Sequence, residues 1–94
     1  MFKELIISKK FVNSENETEI IKYYITSCKF EGSTVYGIAV ESYIIDKRRE
    51  TPHDDAQALK LSYSYNKVIK VIKLLADNLV TPISLNDVLD DLYD

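Results

Sequence analysis

The sequence predicts an α+β fold: a four-stranded antiparallel meander covered on one face by two C-terminal helices. Three observations carry that expectation. The first two thirds of the chain is rich in alternating and β-branched apolar segments, the last third switches to an apolar period of 3.6, and the apolar segments are joined by short polar connections. Short connections between successive strands favour antiparallel neighbours. With 94 residues there is room for one core, so residues 1–94 read as a single domain.

In KELIISKKFV, Leu5, Ile7 and Phe11 fall on one strand face with Lys9 interrupting. NSENETE then suits a hairpin connection longer than two residues, and the glycosylation-like triplet at Asn16 reads as part of that turn. IIKYYITSCKF is dense in β-branched and aromatic residues and forms the second strand. EGS supplies a tight turn in which Gly32 takes up positive φ.

TVYGIAVESYIID gives the third strand. Its core face carries Tyr36, Ile38, Val40, Ser42 and Ile44, and its other face Val35, Gly37, Ala39, Glu41 and Tyr43. Small Gly37 and Ala39 side by side indicate a bulge or a close neighbour above them. ALKLSY is the fourth strand, with Leu59, Leu61 and Tyr63 on one face.

The helical pattern begins after Ser64 or Asn66, either of which suits an N-cap, and runs through Val68, Ile72, Leu75 and Leu79. Pro82 pushes the residue before it out of the α region and stops the helix. In SLNDVLDDLYD, Ser84 and Asp87 resemble a capping box, and Leu85, Val88, Leu89 and Leu92 form an amphipathic stripe. Ile38, Val40, Leu61, Ile72, Leu75 and Leu89 are the predicted core.

Composition narrows the function classes. An apolar fraction of 46% with 29% charged residues is that of a folded domain. A net charge of −3 argues against phosphate-backbone binding, so nucleic acid is not expected as a partner. The apolar run near the N-terminus is too short for a signal peptide or a membrane span, and the single cysteine, Cys28, forms no intrachain disulfide. A cytoplasmic protein with no membrane partner is expected.

The stretch DKRRETPHDDAQ, residues 46–57, concentrates the only histidine, both arginines and adjacent aspartates. His53 with Asp54 and Asp55 could suggest a metal or proton-transfer site. No second histidine exists, and successive aspartates in extended chain diverge, so the stretch reads first as a solvated connection, second as a partner contact and last as an enzyme site. Metal and other cofactors are not expected. Cys28, in a strand without a neighbouring base, reads as a half-buried packing residue. Hydrolase chemistry lacks a glycine-framed nucleophile turn.

Seven tyrosines and no tryptophan leave two readings, tyrosines as β-formers filling a small sheet or as an interface on its open face. Asp87, Asp90, Asp91 and Asp94 make the second helix acidic, and Lys67, Lys70 and Lys73 make the first basic. Three of those aspartates lie against the helix dipole.

The strands containing YYI and VYGIAVE, then a helix and VTPISLNDVLDDLYD, resemble a family of short bacterial proteins of unassigned function found among spore-forming anaerobes. The resemblance spans roughly residues 23–94 and carries fold-bearing motifs, not a catalytic signature. It implies a small cytoplasmic protein and no mechanism. Relative to that family the connection after the third strand, residues 46–57, looks long.

The reading that follows is a small non-enzymatic protein-binding or regulatory module, with Tyr24, Tyr43, Arg48, Arg49 and His53 as partner contacts. The alternative is a small-ligand-binding or catalytic domain with a pocket near residues 46–57. The chain is expected as a monomer or a homodimer joined through its tyrosine-bearing sheet face. The lysine-rich first strand is expected to be an edge, and ALKLSY internal or covered.

Overall fold

The computed structural model describes residues 1–45 and 53–93. Its elements are β1 (Phe2–Val12), β2 (Thr18–Phe30), β3 (Ser33–Ile44), β4 (Asp54–Ser62), α1 (Tyr65–Asp77), a 3-10 turn (Pro82–Ser84) and α2 (Leu85–Tyr93). The strands form one open antiparallel sheet in the order β1-β2-β3-β4. The helices follow in sequence and cover one face, so the α+β architecture is the one the sequence predicts.

Turn chemistry fixes the hairpins. Between β1 and β2 the Asn13 side-chain oxygen accepts hydrogen bonds from the backbone N–H groups of Glu15 and Glu17, at 2.9 and 3.0 Å, and Asn16 takes a φ of 62°. Between β2 and β3 only Glu31 and Gly32 are unpaired, with φ of 50° and 81°. Positive φ at both central positions is the pattern of a type I′ turn, whose twist matches that of the strands it joins.

The register departs from simple alternation in two places. Pairing with β2 shifts between Leu5 and Ile7, so Leu5 faces away from the helices beside Tyr24 while Ile7 pairs with Tyr23. The expectation that Leu5 shares a face with Ile7 and Phe11 is therefore corrected. Leu5 is 49% exposed, whereas Ile6, Ile7 and Phe11 pack on the core. A bulge adds one residue to a strand and moves what precedes it to the other face.

The second irregularity lies between Tyr36 and Ile38 opposite β4, where Lys60 has a φ of 59°. Leu59 and Tyr63 are exposed and Leu61 is only half buried, so the apolar face read in ALKLSY is not continuous.

β4 also starts earlier than the sequence indicates. Asp54, Asp55 and Ala56 pair with Ser42, Glu41 and Val40, and the His53 N–H bonds the Ser42 carbonyl at 2.6 Å. The last part of the presumed loop is thus strand, which shortens the connection after β3. β4 is the second edge of the sheet, as β1 is the first. Its cover comes from the 3-10 turn and both helices, which touch it.

The core is Ile21, Tyr23, Ile25, Ile38 and Val40 from the sheet, Val68, Ile72, Leu75 and Ala76 from α1, and Leu85 and Leu89 from α2. On β4, small Ala56 and Ala58 pack against this cluster. Tyr23 is fully buried, and its hydroxyl donates to the Val80 carbonyl at 2.8 Å, tying the sheet to the chain just after α1. Burial pushes the phenol up to about 12 from its ordinary 10.0. The stability that comes from keeping it neutral is present below pH 10.0 and is lost as pH rises through about 12.

α1 begins at Ser64, whose hydroxyl accepts from the Lys67 N–H at 3.3 Å. It ends in a Schellman arrangement. The Val80 N–H bonds the Leu75 carbonyl at 3.0 Å and the Leu79 N–H bonds that of Ala76 at 3.1 Å, with Leu79 at a φ of 50°. That left-handed position ordinarily holds glycine. Leu79 is partly exposed, so Leu79→Gly removes backbone strain at small loss of packing and is expected to stabilise the protein by about 0.5–1 kcal/mol. Urea midpoints of the two proteins check this.

Ser84 does not act as a helix cap. It closes the 3-10 turn, its N–H bonding the Thr81 carbonyl at 3.1 Å, and α2 continues directly from Leu85. Leu85 and Leu89 are buried as the stripe predicts, while Leu92 stays exposed.

Candidate functional site: the helix-free sheet face

Alternation along β2 and β3 places Ile21, Tyr23 and Ile25 under the helices and Lys22, Tyr24 and Thr26 on the opposite face. The register sets Lys22 opposite Glu41, Tyr24 opposite Ala39 and Thr26 opposite Gly37. β1 adds Lys3 and Leu5, and β4 adds Asp55 and Gln57.

Along the middle of this face runs a coupled row of side chains. Lys3 reaches from β1 across β2, its ammonium 4.5 Å from the Tyr24 ring centroid, and ends on the Glu41 carboxylate at 2.7 Å. The Tyr43 hydroxyl donates to the other Glu41 oxygen at 2.8 Å, and Lys22 lies 4.8 Å from the Tyr43 ring centroid. Two lysine–tyrosine stacks therefore flank one carboxylate.

The electrostatics follow from that geometry. Burial alone would raise the Glu41 pKa, but the Lys3 ammonium and the Tyr43 and Tyr24 hydroxyls outweigh it and hold the carboxyl below its ordinary 4.5. Tyr24 is raised, first by burial and then by the Glu41 carboxylate, and Tyr43 is raised in the same order of causes. Around neutrality the row thus holds one carboxylate between neutral phenols.

The Lys3–Glu41 pair carries a pH signature. A depressed carboxyl pKa contributes stability that is present above 4.5 and lost as pH falls through the lower folded-state value. Because Lys3 is 38% exposed at the side chain, screening limits the pair to about 0–1 kcal/mol. Urea melts of wild type and Glu41→Gln at stepped pH should show a constant small difference near neutrality that shrinks in acid.

Beside the row the face is floored by small side chains. Gly37, Ala39 and Thr26 are buried although no helix covers them. A Cβ on Gly37 would come within 2.5 Å of the Ala58 carbonyl oxygen and 2.7 Å of the Leu59 Cα, so the bulged backbone of β4 is the close neighbour that the small residues accommodate.

Of the residues singled out from sequence, Tyr24 and Tyr43 are brought together through Glu41. Arg48 and Arg49 lie outside the described residues. His53 is exposed at the start of β4 and borders a polar concavity of about 310 Å³ with Glu15, Glu17 and Glu19, separate from the tyrosine row. Asp54 and Asp55 fall on opposite sheet faces, as successive strand residues must. Among the described residues no group of three or more His, Cys, Asp or Glu side chains could hold a metal ion, and no helix is long and apolar enough to cross a membrane. Cys28 is half buried opposite Val35.

Lys3, Lys22 and Glu41 are the members of the row that sequence reading does not single out. Lys3 is separated from Glu41 by 38 positions, and only the pairing register puts them in reach.

The chain belongs to the family of unknown function DUF6514, which it matches over residues 2–94. An uncharacterised family was expected over roughly residues 23–94, and the matched span also takes in β1. No curated protein and no solved structure matches the chain.

Proposed function

We propose that this DUF6514 member is a small, cytoplasmic, non-enzymatic module that binds a protein partner, regulatory in role, and that it does so with the helix-free sheet face. The observation that carries the reading is the coupled row Lys3–Tyr24–Glu41–Tyr43–Lys22. Long side chains normally lose rotamer freedom when a partner docks, and mutual contacts in the free protein reduce that cost. Tyrosine suits such a surface because it buries area while keeping a polar tip. Exposed Leu5 lies at the fringe of the row, opposite Tyr24.

The test is site-specific photocrosslinking in the source cells. A photoreactive residue at Gln57, exposed on this face, should yield a discrete protein adduct, and one at Asn66 on α1 should not yield that adduct. The adduct should disappear in the Tyr24→Ser/Tyr43→Ser background while the melting curve stays cooperative. An adduct formed only from Asn66, or one indifferent to the tyrosine changes, overturns the reading.

A small-ligand-binding or catalytic domain is the second reading. In its favour is the polar concavity bordered by His53, Glu17 and Glu19. Chemical-shift changes confined to those three residues when small metabolites are titrated in would favour it over the sheet face.

A further inference from the structure

The helical side of the molecule carries a second surface. A groove of about 310 Å³ is lined by Lys67, Lys70, Val71 and Leu74 of α1 together with Leu92 of α2. Leu74 and Leu92 are 45% and 43% exposed. Lys67 and Lys70 are exposed, lie one helical turn apart and, among the described residues, form no ion pair. Among those residues no acidic side chain lines the groove. Lys67 also stands where its own helix favours the opposite charge. It is the third residue after the Ser64 cap, and its N–H bonds the Ser64 hydroxyl at 3.3 Å. A glutamate at that position completes a capping box and suits the positive end of the helix dipole, whereas a lysine opposes the dipole. The first turn of α1 holds no acidic residue to offset it. Local conflicts of this kind between residue and fold are expected at functional positions.

We infer that this groove docks an acidic amphipathic helix of another protein. An apolar side chain of that helix seats on Val71, Leu74 and Leu92, and two carboxylates one turn apart meet Lys67 and Lys70. Charge selects the occupant, because the lining residues are apolar or basic. Size agrees, since the groove lies at the lower end of the roughly 300–1,000 Å³ of ligand pockets and suits anchoring side chains. The chain's own acidic helix is no substitute from a second copy, because Leu85 and Leu89 of its apolar stripe are buried in the core. An anionic bilayer is disfavoured as well. It would press on Asp87, Asp90 and Asp91, which are exposed on α2 but do not line the groove, whereas a single helix need touch only the groove. Contact of this kind is sensitive to salt, as expected for an apolar strip beside exposed charges. It is independent of the partner-binding sheet face proposed above.

A charge-swap experiment by fluorescence anisotropy tests it. The probes are a labelled synthetic stapled helix carrying one phenylalanine beside two glutamates set one turn apart, and a twin with lysine in place of each glutamate. Wild type in low salt should bind the glutamate helix at least about tenfold more tightly than the lysine twin, and release it as salt is raised. Lys67→Glu/Lys70→Glu should reverse that preference, and the gain of binding to the twin also shows that the variant is folded. Leu74→Ser should weaken binding of the glutamate helix. Lys67→Glu alone should weaken that binding yet melt no lower than wild type, since it completes the capping box; a purely structural lysine would not behave so. Failure of wild type to bind the glutamate helix, equal affinity for the two probes, or a preference that Lys67→Glu/Lys70→Glu leaves unchanged overturns the inference. So does a lower melting midpoint in Lys67→Glu. Binding to phosphatidylglycerol vesicles in place of the glutamate helix would also overturn it and assign the surface to a membrane.

Discussion

Leu75→Ala is expected to destabilise the protein by about 2–5 kcal/mol, seen as a large drop in the urea or thermal midpoint with a single cooperative transition. Leu75 has no exposed surface and packs in the cluster where α1 meets the sheet, with Ile72, Val68 and Tyr23. Truncation removes apolar area from the core and leaves a cavity. The cavity cannot collapse easily, because the Leu75 carbonyl is also fixed, accepting the Val80 N–H at 3.0 Å in the turn that presents the Val80 carbonyl to Tyr23. An unchanged midpoint would mean that α1 does not lie on this sheet face. Leu74→Ala is the control: one position along the same helix but 45% exposed, it should cost far less.

Gly37→Ala is the second large effect. Its added methyl would sit 2.5 Å from the Ala58 carbonyl oxygen, 2.7 Å from the Leu59 Cα and 2.7 Å from the Thr26 hydroxyl. Thr26 could rotate away, but the other two atoms are backbone, so relief requires β4 to move off β3. Overpacking of that kind costs about 1–3 kcal/mol and occasionally more. The stiffening of the unfolded chain returns only about 0.4–1 kcal/mol. The net should be a lower midpoint, with faster amide exchange confined first to β4 around Ala58. Stability equal to wild type would show that β3 and β4 do not approach so closely.

Much of this architecture is legible in the sequence because one face of the sheet and one stripe of each helix must be apolar. The alternation in β3 identifies Ile38, Val40 and Ile44 as inward and Gly37, Ala39 and Tyr43 as outward, and each lies where it is read. The same logic finds Ile72, Leu75 and Leu89. What eludes it depends on pairing, not pattern. The slip between Leu5 and Ile7 is set by how β1 fits β2, and nothing in the local run of apolar residues marks which one turns outward. Asp54 and Asp55 look like loop because they are charged, yet an edge strand needs only hydrogen bonds along one side and tolerates polar side chains. At Ser84 the residue type suits a cap, but the preceding proline starts a 3-10 turn that occupies the position first. The tyrosine row is half legible: the outward tyrosines follow from alternation, while Lys3, which stacks on Tyr24 and pairs with Glu41, comes from β1, two strands away from β3 in the sheet.

The order of elements along the chain also sets the order in which a ribosome releases them. Each strand of the meander pairs with the one made just before it, so the β-sheet can form as the nascent chain emerges. Its apolar face, Ile21, Tyr23, Ile25, Ile38 and Val40, has nothing to lie against until Val68, Ile72, Leu75, Leu85 and Leu89 have been synthesised. Throughout that interval the nascent sheet presents a sticky side to the cell, a window in which such surfaces invite aggregation or a chaperone. Lys3, Lys9 and Lys10 stand on the leading edge strand during the same interval, where charge discourages edge-to-edge pairing between chains growing side by side on a polysome.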